Sequence, residues 1–83
     1  MSDFIHPFDL VAGAIGCDRD SLSEDSEMYR DHGWDSLGHV TVLVALEKSY
    51  GITIDDESVQ RFRTMREILK CYNRLRETGK DGE

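Results

Sequence analysis

Apolar residues recur along the chain at helical spacing in three places, and no hairpin signal interrupts them. The first place is "DFIHPFDLVAGAIG", where Phe4, Phe8, Val11 and Ile15 share one face and Gly16 supplies a C-terminal stop. Pro7 is tolerated only near a helix start, so this helix is predicted to begin between Asp3 and Pro7. The second is Ser36–Tyr50. Its "VTVLV" run is β-branched enough for a buried strand, but the pattern continues for about four helical turns and is bounded by Asp35 and Gly51. There Leu43, Leu46 and Tyr50 form one apolar face, and Leu37, Val40 and Val44 form a shoulder beside it. An arc that wide is expected to bury one part and offer the rest to another molecule. The third is the last helix, opened by a capping box of Thr64 with Glu67 and striped by Met65, Ile68, Leu69, Tyr72 and Leu75. Arg63, Arg66, Lys70 and Arg74 line its other side as a solvated face.

Between these stretches lie two connections. Cys17–Asp35 is rich in Asp and Ser, and its length requires that its own side chains pin it down, a task assigned to Leu22 and Met28. The segment "ITIDDESVQRF" sends Ile52 and Ile54 inward, then starts a helix of one or two turns capped by Asp55 or Asp56 and ending near Phe62. The predicted fold is all-α: a small bundle of three main helices plus one short one. Residues 1–77 form the domain, and residues 78–83 a flexible tail with nothing to bury.

Charge narrows the partners. Residues 1–60 carry 13 acidic and 3 basic side chains, whereas residues 61–83 carry 7 basic and 4 acidic ones, and the net charge is −7. The acidic part repels a phosphate backbone, which ranks nucleic-acid binding by Arg61–Arg76 last, and it suits a partner with a basic patch. Cys17 and Cys71 are far apart among apolar neighbours and read as small hydrophobes. The N-terminal stretch has no signal-peptide pattern and no segment is long enough to span a membrane, so a monomer in a reducing cytoplasm is expected.

The polar turn before the second helix, "HGWDSL", places Ser36 at the threshold of the longest apolar stretch. Asp35 there needs no function beyond capping. A nucleophile elbow fails because Trp34 holds the position where glycine is required, and a Ser36–His39 pair has neither a strained elbow nor an enclosing pocket. A calcium loop opening at Asp18 and Asp20 fails at Leu22, Ser23 and Tyr29. His6, His32 and His39 lack zinc spacing, so no metal site is expected and the chain is not expected to be an enzyme. A remaining use for the serine is as a substrate, since a hydroxyl at the positive end of a helix is a favourable place for a phosphodiester.

"GWDSLGHVTVLVALEKSYGITI" resembles the signature of acyl carrier proteins and peptidyl carrier domains, and the likeness in order and spacing covers nearly the whole chain. The resemblance implies that Ser36 bears 4′-phosphopantetheine, attached from coenzyme A with magnesium by a phosphopantetheinyl transferase that also recognises Asp35 and Leu37. It implies cargo held as a thioester and shown to acyl-loading and acyl-processing enzymes. The expected partner surface is Leu37, Val40, Val44, Glu47 and Asp56, and Val40, Leu46, Ile54 and Phe62 are the residues expected to line any internal cargo space, although ordinary core is the favoured reading of those four. Gly38, His39 and Thr41 make the central helix less acidic than in fatty-acid-synthesis carriers. In this respect "GWDSLGHV" looks more like freestanding carriers of specialised pathways such as polyketide or modified-sugar synthesis. The alternatives are a freestanding peptidyl or aminoacyl carrier and an unmodified helical interaction adaptor.

Overall fold

A computed structural model describes residues 4–30 and 33–79. Its order is α1 (Pro7–Ile15), a 3-10 turn at Arg19–Ser21, α2 (Ser36–Tyr50), α3 (Asp56–Arg61) and α4 (Met65–Gly79), with no strand among the described residues. The helical bundle is therefore as the periodicity predicts. The expected tail falls partly within α4, which runs to Gly79, while residues 80–83 lie outside the described residues, as does His32.

Local signals set the helix ends. Pro7 occupies the first turn of α1 and Gly16 closes it at φ 77°, a left-handed conformation that glycine takes without strain. In α2 the Asp35 carboxylate accepts the Gly38 amide at 2.9 Å, and Gly51 ends the helix with its amide donating to the Glu47 carbonyl. Asp55 caps α3 in the same way, accepting the Ser58 amide at 2.9 Å. Half of the expected capping box forms at α4: Thr64 Oγ1 accepts the Glu67 amide at 3.4 Å, but the Glu67 carboxylate turns to Lys70 Nζ at 3.2 Å.

The bonds to Ser58, backbone first, hold the Asp55 carboxyl below the usual carboxylate range. A lowered carboxylate pKa stabilises the fold above the unfolded value, near pH 3.9, and that contribution is lost as pH falls through the lower folded value. Asp55→Asn keeps a competent cap without the charge. Its thermal midpoint should therefore fall less steeply than that of the wild type when followed by circular dichroism below about pH 4.

The core joins Leu10 and Val11 of α1, Val42, Leu43, Leu46 and Tyr50 of α2, Phe62, and Met65, Ile68 and Cys71 of α4. Tyr50 also ties down the chain before α1: its hydroxyl donates to the Ile5 carbonyl at 2.7 Å and its ring meets Phe4 edge-on at 5.7 Å. Burial pushes the pKa of that phenol well up, so it stays a donor. No described helix is long and apolar enough to cross a membrane.

The long connection is held more firmly than Leu22 and Met28 could achieve. Leu22 is buried and Met28 half-buried as expected, yet Trp34 is fully buried and the backbone pairs with the α3–α4 junction. Glu27 and Thr64 form an antiparallel bridge, with the Met28 amide donating to the Arg63 carbonyl at 2.8 Å and the Met65 amide to the Ser26 carbonyl at 2.9 Å. Arg66, expected on a solvated face, reaches Glu24 and Asp25 of this connection.

Candidate functional site

The candidate site is the head of α2. Ser36 is its first residue and is exposed, and capping by Asp35 accounts for only one of the free amides of the first turn. Helical geometry leaves the Ser36 and Leu37 amides without an acceptor inside the helix, so the serine hydroxyl sits in the positive field of the helix start.

Two glycines bring the approach loop close to this head. Gly33 stands at φ 81°, and a methyl group there would lie 2.9 Å from the Ile15 carbonyl oxygen. A methyl on Gly38 would lie 2.3 Å from the Gly33 carbonyl oxygen and 3.1 Å from Ile15 Cγ2. The first turn of α2 is thus pressed against the loop and the end of α1, and a side chain at position 38 would force them apart.

Trp34 and His39 lock the same region from within. Trp34 Nε1 donates to His39 Nδ1 at 3.1 Å, so the remaining ring proton is on Nε2 and is donated to the Val59 carbonyl at 2.8 Å. His39 is 3% exposed. In the sequence it stands among the polar first turns of the helix, and neither a pairing with Ser36 nor a zinc site is expected of it. The structure instead makes it a bridge between α2 and α3, turned away from the Ser36 hydroxyl. Its place four residues before Leu43 on the inward face was the available signal. Among the described residues no group of three or more His, Cys, Asp and Glu could hold a metal ion.

Leu37, Val40 and Val44 are 77%, 55% and 42% exposed, an apolar strip descending α2 from Ser36. Glu47 and Asp56, the two acidic members of the expected partner surface, are exposed too. The four residues expected to line an internal space do not enclose one. Leu46 and Phe62 are core, Ile54 is half-buried, and Val40 belongs to the outer strip because the turn of the helix carries it away from Leu46. A groove of about 130 Å³ is bordered by Ile52, Thr53, Ser58, Arg61, Phe62 and Cys71, so of those four residues only Phe62 borders it.

One contact at the site has no precursor in the sequence pattern. Tyr29, 65% exposed, has its phenol oxygen in hydrogen-bond contact with Ser36 Oγ. It takes φ 69°, the only left-handed residue other than glycine among those described, and its amide donates to the Trp34 carbonyl at 2.6 Å. Such a conformation costs a residue with a side chain about 1–2 kcal/mol.

A family model described as "Phosphopantetheine attachment site" matches residues 8–72, from α1 into α4. The head of α2 fits such a group: an exposed hydroxyl, first-turn amides free to face an anion, and backbone brought close where glycines permit it. The group is covalently held 4′-phosphopantetheine, and carrier domains that bear it interact with a phosphopantetheinyl transferase and with biosynthetic enzymes. With the match spanning most of its length and the helical bundle intact beneath it, the chain belongs to the phosphopantetheine-attachment family of carrier domains.

Proposed function

We propose that Ser36 is the attachment residue and that the protein is a monomeric cytoplasmic acyl carrier of a specialised pathway such as polyketide or modified-sugar synthesis. The observation that carries this reading is the exposed Ser36 hydroxyl at the start of α2, directly above the strip of Leu37, Val40 and Val44. When bound, the arm supplies a terminal thiol that holds cargo as a thioester. Asp35 fixes the helix start and so aims the serine. In the transfer, Ser36 Oγ forms a bond to the phosphorus of coenzyme A that will link the arm, the pyrophosphate bond breaks, the nucleotide half leaves, and the hydroxyl proton passes to a base on the transferase.

Incubation with coenzyme A, magnesium and a promiscuous transferase should add the mass of one phosphopantetheine to the intact protein. A chain that gains no mass under conditions that modify a known carrier would instead be an unmodified adaptor. The weakly acidic α2 supports a specialised pathway over primary fatty acid synthesis, because a docking partner finds Gly38, buried His39 and Thr41 where a basic patch would require carboxylates. Amino-acid loading uses the same arm and the same surface, and mass spectrometry of the loaded carrier separates it from acyl loading.

The partner surface is tested at Val44. Val44→Asp puts a charge on a half-open position away from the core, so stability should change by no more than about 0.5 kcal/mol. The same charge placed in an apolar contact should lower the transferase kcat/KM by about fivefold or more. Circular dichroism checks the first expectation and the rate of mass gain the second. An unfolded Val44→Asp would mean that the inner and outer faces of α2 are reversed.

A further inference from the structure

We propose that Tyr29 is a positioning residue for the root of the arm, its phenol donating a hydrogen bond to the phosphodiester once Ser36 is modified. This rests on Ser36 being the attachment residue.

Two observations lead there. Tyr29 is the one described residue besides glycine to hold a left-handed conformation, and its amide bond to the Trp34 carbonyl maintains it. Strain of that kind persists only where surrounding structure over-determines it, and it gathers at functional positions. The strained residue is also the one whose side chain reaches Ser36 Oγ. Core packing does not explain the placement, because the ring is 65% exposed.

Chemistry then sets the direction of the bond. While Ser36 carries a free hydroxyl, either oxygen can donate. After modification Oγ has no hydrogen, and the adjoining phosphate offers anionic oxygens, so the phenol becomes the donor. A hydrogen bond to a charged acceptor is stronger than one between two neutral hydroxyls. The first-turn amides of α2 face the phosphate from one side and Tyr29 from the loop side, so the arm leaves the protein from a held root instead of a freely turning one.

The test is phosphorus NMR on the modified protein, whose arm carries one phosphorus. Wild type and Tyr29→Phe are both modified to completion, with intact mass confirming it and proton–nitrogen spectra confirming that the variant is folded. In native wild type the resonance should be displaced and broadened relative to the same protein unfolded in urea. In native Tyr29→Phe it should move most of the way back toward the unfolded position and narrow. Coincident resonances in the two native proteins would overturn the role of Tyr29 while leaving Ser36 as the attachment residue. Absence of any mass gain in the wild type would instead reject the attachment on which the role rests. The modification rate is a second readout: Tyr29→Phe should change the transferase kcat/KM by no more than about fivefold, the value of one exposed hydrogen bond.

Discussion

Ser36→Ala should gain no mass at all when incubated with coenzyme A and the transferase, and its thermal unfolding should overlay that of the wild type. The pairing of the two results is what gives the experiment force. The start of α2 is held by the Asp35 carboxylate on the Gly38 amide and by the Asp35 carbonyl, which accepts the His39 amide at 2.7 Å, and neither bond uses the serine side chain. Alanine is the best helix former and is tolerated in a first turn. The contact to Tyr29 is exposed, so its loss costs stability little. A complete loss of modification in a folded protein therefore has a chemical cause, the missing oxygen nucleophile.

Other hydroxyls are placed differently. Ser21 Oγ donates to the Asp18 carbonyl at 2.7 Å, Thr41 Oγ1 to the Leu37 carbonyl at 3.3 Å, and Ser26 and Ser58 are buried. Ser23, Ser49 and Thr53 are exposed as well, but none of them stands at the start of a helix. Were Ser36→Ala still to gain one phosphopantetheine, peptide mapping would locate the true site and the reading of the α2 head would fall.

How far the sequence reveals this site depends on the range of the interaction that forms each part. The bounds of α2 are legible at both ends because Asp35 and Gly51 act on the amides and carbonyls of their own helix turns. The division of α2 into a buried face and an exposed strip is legible for the same reason, since helical spacing alone separates Leu43 and Leu46 from Leu37, Val40 and Val44. Interactions between distant segments are not. The bridge between Glu27 and Thr64 joins two polar residues far apart in the chain, and nothing in a periodic pattern couples them. Arg66 looks like one more solvated cation until the fold brings Glu24 and Asp25 beside it. Gly38 resembles a weak helix position, whereas the fold needs its missing side chain so that Gly33 can approach. Tyr29 is the extreme case: its place beside Ser36 depends on a left-handed backbone angle that residue identity disfavours.

Trp34, which in the sequence only rules out a nucleophile elbow, is one of the largest fully buried side chains among the described residues, so Trp34→Ala should damage the fold severely. Truncating a buried tryptophan costs about 3–5 kcal/mol in lost burial and cavity formation. His39 Nδ1 loses its donor as well, and an orphaned buried polar atom adds about 1–3 kcal/mol. Total stability for a domain of this size is about 5–10 kcal/mol, so Trp34→Ala should be largely unfolded near physiological temperature by far-ultraviolet circular dichroism. Trp34→Phe separates the two contributions, since it keeps an aromatic ring and drops the N–H. His39→Leu removes the acceptor from the other side and also strips the Val59 carbonyl of its donor. If Trp34 and His39 act as one link between the head of α2 and α3, urea unfolding of the double variant should cost less than the two single losses combined, with a coupling of about 0.5–3 kcal/mol. Strict additivity would mean that the two rings stabilise the domain separately, and that α3 is not tied to the serine's helix through this pair.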